Sequence, residues 1–190
     1  MTQFRTKFNS EELRILHSLV GAEWICYGGS SFVYDGKFAV GNMFIESAAG
    51  TVTIASDLVE CPLPTGPEDV AELHVTRGST DVGRSRGRGA LFFHEKNHLV
   101  AGLSIVSACV TIQSIDYEPF QISMDHAVTF HFEDHDLVIA RGSWFVETLD
   151  VLRSNNGSEV DVRSAEWDSE LGTYYEVTQW TSSIEELILE

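Results

Sequence analysis

The stretch "FHFEDHDLVIARGSWFVE", residues 130–147, alternates aromatic and polar positions, turns at Glu-Asp-His-Asp, and continues as an apolar run broken by Gly142. A period of two followed by a polar turn and a second apolar run predicts an antiparallel hairpin. The same order recurs in "FVYDGKFAVGNMFIE" (32–46) and "LFFHEKNHLVAGLSIVS" (91–107), with Gly41 and Gly102 in the place of Gly142. A glycine inside a long strand marks a bulge or sharp bend, as a strongly curved sheet requires. Further strands are expected at 23–28, 51–56, 71–77, 159–164 and 173–180, and Asp35-Gly36 is a two-residue hairpin signal. The fold class expected is all-β and mainly antiparallel, a curved sheet forming a barrel or a two-sheet sandwich.

The beginning of the chain departs from this period. Asn9 or Ser10 can cap a helix over about residues 9–20, Glu11 and Glu12 suit its positive end, and Leu13, Leu16, Leu19 and Val20 line one face before Gly21 ends it. "CPLPTGPEDV" (61–70), holding three of the four prolines, reads as a loop, and "SSIEELILE" (182–190) as a short helical turn capped by Ser182 or Ser183. With 190 residues and 43% hydrophobic content, one domain over 1–190 is expected. The helix followed by "GAEW" resembles the opening of lipocalin-type barrels, with Gly21 and Trp24 one residue further apart than that family's Gly-x-Trp; the family is not assigned on so few residues.

No signal-peptide stretch opens the chain, and the longest nearly apolar run, 99–110, is too short to span a bilayer. A cytoplasmic protein without membrane association is expected. Cys26, Cys61 and Cys109 lie far apart beside apolar residues, which predicts buried free thiols.

Charge narrows the partners. The net charge of −17 argues against nucleic acid and anionic membranes, because like charges repel. It is uneven: residues 142–190 hold 11 acids against Arg153 and Arg163, whereas Arg77, Arg84, Arg86 and Arg88 face only Asp81 over 77–88. The glycine-spaced arginines read as a solvated loop or as a clamp for an anion. No phosphate-loop motif accompanies them.

Other candidate sites are sparse. His126, His131, Glu133 and His135 could supply metal ligands, although their spacing matches no metal motif and "EDHD" also makes a natural turn. Ser104 lacks the setting of a nucleophile elbow, and no catalytic residue is assigned. Glu166, Asp168 and Glu170 with Trp167 could dock a basic partner. Trp24, Phe44, Phe92, Phe130 and Trp144 could line a ligand cavity in a barrel or simply fill a core. The function expected is a non-enzymatic interaction protein whose acidic surface recognises a basic protein, as inhibitors or toxin-neutralising proteins do. The alternatives are a β-barrel that binds a small molecule and a metal-dependent enzyme built on the His/acid cluster. No motif names a cofactor, and nothing in the sequence sets the oligomeric state.

Overall fold

A computed structural model describes residues 2–29, 32–33, 38–63, 66–78, 91–93, 104–117, 120–155 and 181–189. The first element is a strand, not the helix: β1 (Thr2–Thr6) precedes α1 (Ser10–His17). Asn9 caps the helix, accepting from the Glu11 and Glu12 N–H groups at 2.9 and 3.0 Å, while Glu12 Oε2 accepts the Asn9 N–H at 2.8 Å. This reciprocal capping box satisfies donors at both ends of the first turn. Ile15, Leu16 and Leu19 then face the core.

Thirteen strands among the described residues form two sheets. The larger runs β13 (Thr181–Leu189), β9 (Ser107–Tyr117), β10 (Phe120–His131), β11 (His135–Arg141), β12 (Thr148–Asn155), β4 (Phe38–Val40) and β3 (Phe32–Val33). The smaller runs β7 (Gly66–Arg77), β6 (Gly50–Leu63), β5 (Asn42–Ser47), β2 (Trp24–Gly29) and β8 (Leu91–Phe93). Neither sheet closes, so the barrel expectation gives way to a sandwich-like pair. Trp24, Met43, Ile45, Ile54, Leu73 and Val75 of one sheet join Val110, Val128, Phe130, Ile139 and Leu149 of the other in one hydrophobic cluster, together with Leu16 and Leu19 of the helix.

Of the glycine-broken strands, one turns a corner between the sheets at Gly41, and another folds back as a hairpin connection from Gly142, since β11 and β12 pair antiparallel in one sheet. At Gly41, φ is +75°, a conformation that disfavours a side chain, and there the chain leaves β4 in the larger sheet for β5 in the smaller. Gly142 separates β11 from β12. Gly102 and the Asp35-Gly36 turn lie outside the described residues, but Phe32 pairs with Ala39 and Val33 with Phe38 around that turn.

Two segments are corrected. "CPLPTGPEDV" is not an open loop, because β6 runs to Leu63 and β7 begins at Gly66, with Pro62 opposite Pro67. Two residues that lack an N–H face each other there, so neither leaves a strand donor unpaired. "SSIEELILE" is not helical. Residues Thr181–Leu189 pair antiparallel with nine residues of β9, and that long register overrides the local helix-start signal.

Strand β10 has a divided flank. β1 pairs with it in parallel over Phe120–Met124, β11 pairs antiparallel over Ala127–His131, and the register shifts between Asp125 and Ala127. Asp125 and His126 occupy the handover between the two neighbours, both buried.

Candidate functional site

Past Ala55, β6 loses its β5 partner, the last bond to that side being Ser56 N–H to the Gly41 carbonyl at 2.6 Å. Strands β6 and β7 continue as a two-stranded ribbon. From Asp57 to Glu72 the sequence holds five acids and no lysine or arginine. Register sets these acids against one another: Asp57 lies opposite Glu72, and Glu60 opposite Asp69. Like charges directly opposite on antiparallel strands are destabilising. Glu60 and Asp69 are both exposed, and neither forms an ion pair among the described residues. Burial also changes sides along the ribbon. Ile54, Ser56, Leu73 and Val75 are buried on one face, whereas Cys61 and Val70 are buried on the other, leaving Glu60 and Asp69 on a face that has turned to solvent.

A charged seam fastens the outer edge of β7 to the rest of the molecule. Glu12 Oε1 accepts the Val75 N–H at 3.1 Å and lies 3.4 Å from His74 Nδ1. His74 Nε2 lies 3.4 Å from Glu72 Oε2. Bracketed in this way, His74 is pushed up to about 9, first by its hydrogen bond with Glu72, against the opposing effect of burial. One turn of strand away, the Ala71 N–H donates to the Trp144 carbonyl at 2.8 Å, and Arg141 Nη1 donates to the Ala71 carbonyl. Arg141 is fully buried, contacts Met124 Sδ through Nη2, and sits 5.3 Å above the Trp144 ring. Burial brings its guanidinium down to about 9. Asp125, whose carboxylate accepts the Phe8 N–H, is pushed up to about 6 by burial, with the charges of Lys7 and Arg141 acting the other way.

The histidine cluster is divided by strand alternation. His131 pairs with Asp136 across the β10–β11 hairpin, and its Nδ1 lies 2.8 Å from Asp136 Oδ1. His135 sits on the opposite face, stacked on Phe132 with centroids 4.7 Å apart, its Nδ1 2.6 Å from Asp134 Oδ1. That hydrogen bond holds the Asp134 carboxyl below its ordinary value. Glu133 is an exposed residue of the turn, and His126 is buried at the strand handover. No group of three or more His, Cys, Asp or Glu side chains is placed to hold a metal among the described residues.

The aromatic residues occupy different places. Trp24 is buried against Phe130, Tyr27 and Phe132, with centroids 5.9, 6.1 and 5.5 Å away. Phe44 lies over Gly28, where an added Cβ would meet its Cζ at 2.9 Å. Trp144 sits apart from these, beneath Arg141. Phe92 is opposite Gly28 in β8, and only its backbone is described. Arg77, exposed at the end of β7, donates through Nη2 to Ser18 Oγ at 3.0 Å. Arg84, Arg86 and Arg88, and likewise Glu166, Trp167, Asp168 and Glu170, lie outside the described residues.

Comparison with protein-family models, curated proteins and solved structures gives no match. The chain's own geometry therefore carries the functional argument. The opposed acids of the ribbon escaped the sequence reading, which saw only a general acidity. Their local signal is in the sequence: the spacing of Asp57 and Glu60 mirrors that of Asp69 and Glu72 about Pro64 and Thr65. No helix among the described residues is long and apolar enough to cross a membrane.

Proposed function

We propose that this chain is a non-enzymatic interaction protein that recognises a basic protein partner through its acidic surface, with the β6–β7 ribbon as the contact element. The observation carrying this reading is the Glu60–Asp69 pair, two exposed carboxylates held opposite each other with no cation between them among the described residues. Such a pair lowers the stability of the chain alone, and a lysine or arginine from a partner relieves that cost. Asp57 and Glu72 form a second opposed pair nearer the core but on the ribbon's other face, where Glu72 is already engaged by His74. Long-range attraction from the whole −17 charge steers a basic partner toward any such surface, and the ribbon decides where it settles.

The test compares two variants of equal charge. Glu60→Gln with Asp69→Asn removes the opposed pair, whereas Glu23→Gln with Glu147→Gln removes two exposed acids elsewhere. Binding of fluorescent oligolysine is measured at 50 and 300 mM salt, concentrations set on the order of the range over which screening of exposed charges changes most. The ribbon variant is expected to bind about tenfold more weakly at low salt and to melt at a higher temperature than wild type. Equal loss in both variants, or none in the ribbon variant, overturns the assignment.

A further inference from the structure

β13 ends the strand order of the larger sheet among the described residues, and it is poorly covered. Ser183 and all of Glu185–Ile188 are exposed, Leu187 at 40% and Ile188 at 62%, while Leu189 is buried in the core. Its partner β9 is buried from Ala108 to Gln113. β13 thus anchors one side to a buried strand and presents apolar residues on both faces. Strand alternation places Glu185 and Leu187 on one face and Glu186 and Ile188 on the other. Each face therefore carries a carboxylate followed by an apolar side chain.

We infer that β13 is a docking edge for an extended basic segment of another protein, which adds to the sheet as a further strand. Exposed strand edges accept such segments through main-chain hydrogen bonds, and the side chains of the edge select the sequence. Charge complementarity sets the occupant. An antiparallel segment places two apolar residues against Ile188 and Leu187, then two cations against Glu186 and Glu185. A second copy of this chain fits poorly, since antiparallel self-pairing about the centre of Glu185–Ile188 sets Glu185 against Ile188 and Glu186 against Leu187, which leaves all four carboxylates without a counter-charge. This surface is separate from the β6–β7 ribbon, and either can fail without the other.

The probe is a capped peptide containing Val-Val-Lys-Lys, compared with one of equal charge in which proline replaces the first valine. Binding is followed by fluorescence anisotropy. The valine peptide is expected to bind and the proline peptide not, because proline cannot complete the strand. Glu185→Lys with Glu186→Lys should weaken binding about tenfold or more. Ile188→Thr, which keeps strand propensity and charge, should weaken it by a smaller factor, and Glu60→Gln with Asp69→Asn should leave it unchanged. Equal binding of both peptides, indifference to the Glu185 and Glu186 reversals, or a stable dimer of the unliganded protein in sedimentation overturns the inference. Loss of peptide binding in the Glu60 and Asp69 variant alone transfers the site to the ribbon.

Discussion

Val75 donates its backbone N–H to Glu12 Oε1 at 3.1 Å, so a side chain of the helix occupies the hydrogen-bonding edge of β7. The carboxylate that caps α1 through Oε2 also fastens α1 to the sheet through Oε1. His74 sits beside the junction and needs both ring nitrogens protonated to donate to Glu12 and Glu72 together.

His74 therefore makes stability depend on pH. Its folded value of about 9 lies above the unfolded 6.5, so its contribution is complete below pH 6.5 and is lost as pH rises through 9. Discounted for partial exposure, the effect is about 1 kcal/mol, or about 2–4 °C in Tm. His74→Gln should melt below wild type at pH 6 and converge with it at pH 10, as followed by circular dichroism.

Asp125 acts in the same direction over a lower pH range. Its folded value of about 6 exceeds the unfolded 3.8, so the native state takes up a proton first and this group favours folding more as pH falls from 6 toward 4. Urea unfolding of wild type and Asp125→Asn between pH 4 and 7 should show wild type gaining on the variant with acidification.

Arg141 is the costliest position in the seam to alter. Removing the guanidinium frees the Ala71 carbonyl, empties the space above Trp144, and strips Asp125 of a neighbouring cation. Arg141→Ala should cost about 3–5 kcal/mol in urea unfolding at pH 7. Arg141→Lys should cost less but remain destabilising, since an ammonium keeps the charge and loses the planar fork.

Gly41 and Gly142 should fail for different reasons. Gly41→Ala meets no atom within 4 Å but forces φ of +75° on a side chain, at about 1–2 kcal/mol. Gly142→Ala has an ordinary backbone, yet its Cβ would lie 2.7 Å from Thr148 Oγ1 and 3.2 Å from Asp150 Oδ1. Overpacking of that kind costs about 1–3 kcal/mol. Gly41→Asn should recover part of the first loss, because asparagine tolerates positive φ; thermal melts of the three variants decide it.

The thiols should be silent in the native protein. Cys26, Cys61 and Cys109 are buried and form no disulfide, and burial pushes Cys61 up to about 12 and raises Cys109 as well. Titration with a disulfide reagent at pH 8 should proceed only as fast as the protein opens, and should count three thiols once it is unfolded.

The hairpins were legible because aromatic alternation and turn residues are local signals. The β10–β11 turn at Glu133–Asp134 and the bend at Gly41 stand where the pattern puts them. β1 was not legible. Its "TQFRT" has too little apolar periodicity to announce a strand, and it becomes one by pairing with residues remote in sequence. The proline-rich turn misled for a related reason: proline density signals a break, but the register sets Pro62 against Pro67 at the end of a hairpin. The ribbon's acids were visible individually. That Glu60 faces Asp69, and that burial switches faces beside them, follows from register and twist, which no short window of sequence contains.

The parallel pairing of Thr2–Thr6 with Phe120–Met124 joins segments 118 residues apart. During synthesis from the N-terminus, β1 is made before any of its partner strand exists. Closing so long a loop is entropically slow, and β1 cannot take its place until β10 has been produced. Until then the handover at Asp125 has no Phe8 N–H to accept. The β1 flank of the larger sheet is thus completed late, by residues made early meeting residues made much later.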